Sequence, residues 1–237
     1  MIKILYVSSL CSEPMLKYIF DTAKIKPEQA AQKFHRLLAE GFALNKEKCS
    51  IETLSSIPVT PLSHKKKVWF LSSEVINHLR FRYVPLINVQ YLKNLWVFFF
   101  TFFKILLWGW LRVGQKKLII CDVLNMTVSL AAFLASKLSF TKNIAIVTDL
   151  PYNVMPGWSD RKSFINLLYH KLTKFMLYRF DAYILLTEQM NSVVNPKKRP
   201  YMIMEGLVDI TMENSKNSLE EKATEKILIY AGGLYEK

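Results

Sequence analysis

Residues 117–148 read KLIICDVLNMTVSLAAFLASKLSFTKNIAIVT and carry the clearest fold signal in the chain. Residues 117–121 are short, apolar and strand-like, residues 128–138 are helical in character, and residues 143–148 form a second apolar strand. A strand, a helix and a strand in this order predict a βαβ unit, in which the two strands run parallel.

The same alternation extends over most of the chain. The first strand shows the signal clearly, because Ile4-Leu5-Tyr6-Val7 is a short apolar run that ends in serines. Further strands are predicted over 3–8, 50–54, 68–71, 79–84, 182–186, 201–204 and 227–231, and further helices over 27–45, 161–180 and 188–193. We therefore predict an α/β fold: a Rossmann-like parallel sheet with helices on both faces.

The composition excludes several classes of protein. The chain has 237 residues, of which 51% are hydrophobic and 22% charged, so it can build one large core or two small ones. Only 7 residues are glycine, and neither the dinucleotide-binding pattern GxGxxG nor a P-loop occurs. The 3 cysteines and 4 histidines show no zinc-site spacing and no DxD is present, so we expect neither a metal nor a cofactor.

The charge of the chain indicates an anionic partner. Lys and Arg number 32 against 19 Asp and Glu, which gives a formal net charge of +13. The sequence contains no nucleic-acid-binding motif, so we expect a phosphate-bearing substrate or an anionic membrane surface and no nucleic acid. The apolar run over 4–10 is too short for a secretory signal, which favours a cytoplasmic location.

Polar residues follow several of the predicted strands. In parallel sheets, ligands bind at the carboxyl ends of the strands, close to the point where the strand order reverses. This rule selects Ser8 and Ser9 after the first strand, together with Asp122, Asp149 and Glu188. Glu188 equally fits the first turn of a helix, where the macrodipole favours an acidic side chain.

Residues 95–111 read LWVFFFTFFKILLWGWL and are barely long enough to span a membrane. Lys104 lies at the centre of this segment, where a charge in hydrocarbon is costly. Three alternatives follow: a buried or partly buried helix, a helix lying in the membrane interface, and a true span. For the interfacial helix we expect Trp96, Lys104, Trp108 and Trp110 to contact the membrane, with the tryptophans at headgroup level.

Five segments stand out by their order and spacing along the chain. They are Lys3-Ile4-Leu5-Tyr6-Val7-Ser8, Pro27-Glu28-Gln29-Ala30 with Phe34-His35-Arg36-Leu37-Leu38, Cys121-Asp122-Val123-Leu124-Asn125, Val147-Thr148-Asp149-Leu150-Pro151, and Glu205-Gly206-Leu207-Val208-Asp209. Together they resemble bacterial glycosyltransferases of family 4, above all those of capsular and exopolysaccharide synthesis. The turn after the first strand departs from the family, since many members have glycines where this chain has Ser8 and Ser9.

The resemblance implies the GT-B architecture, in which two Rossmann-like domains face each other across a cleft. The first domain binds the acceptor and the second binds the nucleotide-sugar donor. On this basis residues 1–212 are the N-terminal acceptor-binding domain and residues 213–226 are a linker. Residues 227–237 correspond to the first strand and glycine turn of a truncated donor-binding domain, whose Gly232 and Gly233 would approach the donor phosphates.

The residues at the strand ends are candidates for acceptor binding by their position and chemistry. Asp149 would orient the acceptor hydroxyl for attack, and its alternative is an aspartate that stabilises a loop or helix start. Tyr152 and Trp158 would stack on a sugar ring or contact lipid, and their alternative is packing inside the protein. The complete acceptor-binding set is Ser8, Ser9, Asp122, Asn125, Tyr152, Trp158 and Glu188.

The implied activity is transfer of a sugar from a nucleotide-sugar donor to a lipid-linked or polysaccharide acceptor. It would take place on the inner face of the plasma membrane, with the chain bound peripherally. Because the donor needs a complete second domain, we expect little or no activity from this chain alone. The alternative is a non-catalytic membrane- or glycan-binding module, or the acceptor subunit of a split glycosyltransferase.

Overall fold

The structure is a computed structural model that describes residues 1–25, 30–45, 47–150 and 164–209. The helices are α1 (Glu13–Thr22), α2 (Ala30–Leu44), α3 (Leu92–Trp110), α4 (Met126–Leu138), α5 (Phe164–Leu177) and α6 (Glu188–Val194). The strands are β1 (Ile2–Ser8), β2 (Cys49–Ser55), β3 (Val68–Trp69), β4 (Glu74–Ile76), β5 (Leu79–Phe81), β6 (Leu86–Ile87), β7 (Lys117–Asp122), β8 (Lys142–Val147), β9 (Ala182–Leu185) and β10 (Tyr201–Ile203).

Eight strands form one large sheet in the order β10-β9-β8-β7-β1-β2-β5-β4. All neighbouring pairs are parallel except β4 and β5, which form an antiparallel edge. β1 is central: Tyr6 lies opposite Thr53 of β2 on one side and opposite Ile120 of β7 on the other. The predicted α/β fold with a Rossmann-like parallel sheet is therefore confirmed.

Several predicted elements differ in detail. The strand predicted over 68–71 does not join the large sheet, because β3 pairs antiparallel with β6 in a separate two-stranded sheet. Its anchor is Trp69, whose indole nitrogen donates to the carbonyl oxygen of Lys66. The strand predicted over 79–84 is confined to Leu79–Phe81.

Helix α1 was missed, although the sequence carries a signal for it. Ser12 caps the helix and accepts a hydrogen bond from the amide of Met15 at 3.2 Å, and Pro14 lies in the first turn. A serine followed closely by an acidic residue and a proline is typical of a helix start. β4 and β6 were also missed, because strands of two or three residues carry too little periodicity to be recognised.

Some expectations fall on residues outside the described ranges. These are the start of the helix predicted over 27–45, the start of the helix predicted over 161–180, the final strand over 227–231, and the domain boundaries at 212 and 226. They stay predictions.

Helices cover both faces of the large sheet, as predicted. Side chains alternate along β1, so Tyr6 meets α2 while Leu5 faces the cavity beneath α3. α3 packs closely on the end of α4 through Gly109, where an added Cβ would lie 2.5 Å from the Cβ of Ser139. The ammonium group of Lys117 bonds the carbonyl oxygens of both residues and ties β7 to this contact.

The α3–α4 contact gives a test of the fold. Replacing Gly109 by Ala should lower the free energy of unfolding by about 1–3 kcal/mol, because the new methyl group would overlap Ser139. Gly41 is the matched control: it is also helical, and a Cβ there meets nothing within 4 Å, so Gly41→Ala should stabilise by about 0.5–1 kcal/mol. Urea unfolding measures both, and equal effects would contradict the close packing.

Candidate functional site

The strand order reverses between β1 and β7, and the carboxyl ends of these two strands form the expected ligand-binding edge. Ser8 lies at this edge but is fully buried, and its hydroxyl oxygen accepts a hydrogen bond from the amide of Leu10 at 3.0 Å. Ser8 therefore shapes the turn after β1, whereas Ser9 is half-buried at its surface.

A buried amide from α2 holds this turn in place. The side-chain oxygen of Gln32 accepts from the amide of Cys11 at 2.9 Å, and its nitrogen donates to the carbonyl oxygen of Ser9 at 2.7 Å. Burial raises the pKa of the Cys11 thiol, so Cys11 stays protonated. Gln32 thus holds the β1 turn through side-chain hydrogen bonds. A glycine turn would instead allow the backbone to approach a ligand closely. Sequence reasoning missed Gln32.

Three buried polar side chains meet beneath the point of strand reversal. The hydroxyl of Tyr6 lies 2.6 Å from Nδ1 of His35, and Nε2 of His35 lies 3.3 Å from Oδ2 of Asp122. The second approach is close but poorly aligned for a hydrogen bond. Burial, with the nearby Asp122 carboxylate, raises the pKa of Tyr6 well above its usual value. This cluster joins β1, α2 and β7.

Asp122 and Asn125 lie where the sequence places them, and both organise the start of α4. Asp122 is only 3% exposed, and its Oδ1 accepts from the amide of Leu124 at 3.0 Å. Asn125 is half-buried and caps α4 by accepting from the amide of Val128 at 3.4 Å. Asp122 is therefore buried beneath the carboxyl edge of the sheet, whereas Asn125 lies nearer to the protein surface.

Glu74 adds a carboxylate to the same edge of the sheet. It begins β4 opposite the end of β5, and its Oε1 accepts hydrogen bonds from the hydroxyls of Ser12 (2.5 Å) and Tyr83. Burial and the bond to Glu74 raise the pKa of Tyr83, so this hydroxyl stays a donor. Glu74 was not predicted as a site residue, because the short antiparallel strand that positions it was not predicted.

The remaining predicted residues lie apart from this cluster or outside the described ranges. Asp149 is exposed, and its Oδ1 accepts from the amide of Leu150 at 2.8 Å, as in the loop-stabilising alternative. Glu188 is exposed at the start of α6, and its Oε1 accepts from the hydroxyl of Tyr201 at 2.8 Å. The predicted sites that lie outside the described residues are Tyr152, Trp158, Gly232 and Gly233.

A row of large apolar side chains lies exposed along the outer side of α3. The side chains recur at intervals of one to four residues, and their exposed fractions run from 38% at Trp96 to 60% at Phe103. By length and composition, α3 is the one described helix that could cross a membrane, and 33% of its most apolar stretch is buried. We call this row the aromatic ridge; it consists of Leu92, Leu95, Trp96, Phe99, Phe103, Leu107 and Trp110.

Trp108 was predicted to contact the membrane, but the structure buries it. It is 5% exposed and lies on the inner side of α3, so it is not part of the aromatic ridge. Its indole nitrogen donates to Oε1 of Glu52 on β2, and the guanidinium of Arg112 lies over its ring. Helical spacing places residue 108 on the same side as the buried Thr101 and Ile105, which explains the error. Trp96, Lys104 and Trp110 are exposed.

A basic cavity of about 360 Å³ lies between the inner side of α3 and the sheet. Its cationic side chains are Arg80 and Arg82 from the β5 region and Lys104 from α3. Arg82 is 3.0 Å from Oε2 of Glu52, which also receives Arg112 at 3.0 Å on its other oxygen. Glu52 therefore holds Arg82 and Arg112 beside the cavity and offsets part of their charge.

Comparison with known proteins leaves the site to be interpreted from its geometry. No family model matches the chain, and no curated protein matches it. Among the described residues, no group of three or more His, Cys, Asp or Glu side chains is arranged to hold a metal ion.

The cluster beneath the edge can be tested through His35. His35→Leu should lower the free energy of unfolding by about 1–3 kcal/mol, since it leaves the buried Tyr6 hydroxyl without its hydrogen-bond partner. The double variant Tyr6→Phe/His35→Leu should lose less than the sum of the two single variants, because one shared contact is counted once. Strict additivity in chemical denaturation would show that the 2.6 Å contact contributes nothing.

Proposed function

We propose that this chain is the N-terminal, acceptor-binding domain of a glycosyltransferase of the GT-B type. The whole enzyme would transfer a sugar from a nucleotide-sugar donor to a lipid-linked or polysaccharide acceptor in cell-surface polysaccharide synthesis. The observation that carries the proposal is the carboxyl edge at the β1–β7 reversal, where Gln32 holds the β1 turn beside the carboxylate of Glu74. The sequence resemblance to family 4 supports the same assignment.

The chemistry of this edge suits a sugar hydroxyl. A carboxylate can accept about four hydrogen bonds, and Glu74 receives two of them at Oε1 from Ser12 and Tyr83. Its remaining acceptor capacity is available to an acceptor hydroxyl. Because the neighbouring turn is tied to α2 by Gln32, the carboxylate and the turn keep a constant separation, as positioning of an acceptor requires.

The donor would bind to the second domain of the whole enzyme. Gly232 and Gly233 are the proposed phosphate-facing turn of that domain, and stabilisation of the departing diphosphate is the part of catalysis that this first domain would lack. Asp149 is proposed to orient the acceptor hydroxyl, and Glu74 is the better-supported carboxylate because the hydroxyls of Ser12 and Tyr83 already hold it beside the start of α1.

The second candidate is a non-catalytic membrane-binding module, which the aromatic ridge favours. One side of α3 packs on the protein and the opposite side exposes seven large apolar side chains, a one-sided pattern typical of helices in the membrane interface. Under either candidate we propose a peripheral location on the inner face of the plasma membrane. The two differ in whether a sugar acceptor binds at the carboxyl edge.

If the donor binds to a second domain, this chain alone should bind the acceptor but transfer no sugar to it. The purified chain, mixed with a radiolabelled nucleotide sugar and a polyprenyl-diphosphate-linked sugar in detergent, should form no labelled glycolipid above background, because under this proposal residues 1–212 bind the acceptor and the donor diphosphate is stabilised by a different domain. Chromatography of the lipid fraction measures the product. Strong transfer by the chain alone would contradict the two-domain assignment.

The role of Glu74 predicts a loss of acceptor affinity. Glu74→Gln should weaken binding of the same lipid-linked sugar by about tenfold or more, because a hydrogen bond to a charged group contributes about 1.5–3 kcal/mol. Titration followed by tryptophan fluorescence measures the dissociation constant. Glu47→Gln is the matched control, since Glu47 is exposed in the turn before β2 at the opposite edge of the sheet. If both variants bind like the unmodified chain, the acceptor site is not at Glu74.

A further inference from the structure

Helix α3 lies between two cavities of opposite character. The basic cavity of about 360 Å³ lies on its inner side, and an apolar groove of about 420 Å³ lies along the aromatic ridge. Phe100 and Lys104 line both. The two spaces therefore adjoin, and a single elongated molecule could occupy both at once.

The basic cavity is built to receive an anion. Arg80 and Arg82 lie two residues apart along an extended segment, so they point to the same face of the sheet, towards α3. Lys104 approaches from the helix, and its ammonium lies 5.5 Å from the centre of the Phe100 ring. The described lining of this cavity contains three cations, of which Arg82 is paired at 3.0 Å with Glu52. An anion that entered would therefore meet Arg80 and Lys104 as its main cationic partners.

The adjoining groove is built to receive hydrocarbon. Apart from Lys104 its lining is Trp96, Phe99, Phe100, Phe103 and Leu107. Lys104 lines both spaces, and a side chain with an apolar stem and a charged end suits such a boundary, as lysines do at membrane interfaces. A basic pocket next to an aromatic groove matches the chemistry of an amphiphile with an anionic head.

We propose that Arg80, Arg82 and Lys104 form a binding pocket for the phosphate headgroup of an anionic membrane phospholipid, whose acyl chains lie along the aromatic ridge. The pocket would hold α3 in the membrane interface in one orientation, which a general attraction between the chain's +13 charge and the membrane does not do. This inference deepens the membrane contact of the proposed function, and its test needs neither a sugar acceptor nor a donor.

The test measures binding of the full chain to phosphatidylcholine vesicles prepared with and without phosphatidylglycerol. The unmodified chain should co-sediment with the phosphatidylglycerol vesicles and far less with phosphatidylcholine alone. Arg80→Gln/Lys104→Gln should weaken that binding by about tenfold or more, because each cation near an anionic membrane surface contributes about 1 kcal/mol. Lys197→Gln/Lys198→Gln removes the same charge at two exposed positions in the loop between α6 and β10, away from α3, and should weaken it by less than about threefold.

Two further variants keep the outcome clear if a substitution disturbs folding. Arg80→Lys/Lys104→Arg keeps both charges and should retain binding, while Phe99→Ser/Phe103→Ser removes part of the ridge and should abolish it. Circular dichroism checks that each variant is folded.

Three results would overturn the proposal. Equal losses of vesicle binding for Arg80→Gln/Lys104→Gln and for the control double variant would show electrostatic attraction to the membrane without a pocket. Unchanged vesicle binding by Arg80→Gln/Lys104→Gln would show that the cavity does not bind a lipid headgroup. The third result is that the chain binds inorganic phosphate or glycerol phosphate, loses that binding in Arg80→Gln/Lys104→Gln, and does not bind vesicles. This result would assign the cavity to a soluble anion.

Discussion

The parallel pairing of β1 with β2 on one side and β7 on the other is the constraint on which the structure depends. Because the chain first builds outward from β1 in one direction and then returns to build in the other, the order reverses beside β1. That reversal brings the β1 turn and the Asp122 loop to one edge and leaves room between them. The Tyr6–His35–Asp122 cluster then fastens both strands to α2.

The second constraint is the position of α3, whose two sides meet different surroundings. Gly109 lets the end of the helix approach α4, and Trp108 is held by Glu52 on the sheet. These contacts fix the rotation of the helix about its axis, so the aromatic ridge must face outward. This exposed apolar row, with the basic cavity beside it, is the surface that we propose binds an anionic membrane.

The fold was predictable because strands buried on both faces leave a strong signal in sequence. Residues 117–148 alone predicted the βαβ unit that the structure contains as β7, α4 and β8. The candidate site was predictable only in part. Asp122 and Asn125 do lie at the β1–β7 edge, whereas Glu74, Gln32 and His35 reach it from elements distant in sequence. Hydrogen bonds across such separations have no local pattern.

Composition and periodicity are local properties, so they are enough to predict the class of fold, the excess of positive charge and one long aromatic helix. Which side of that helix is covered, and which carboxylate lies beside the β1 turn, depends on contacts between segments that are distant in the chain. Trp96 and Trp108 are twelve positions apart in one apolar segment, yet the first lies exposed and the second is buried against Glu52. The difference arises from packing against the sheet, which depends on how distant segments come together.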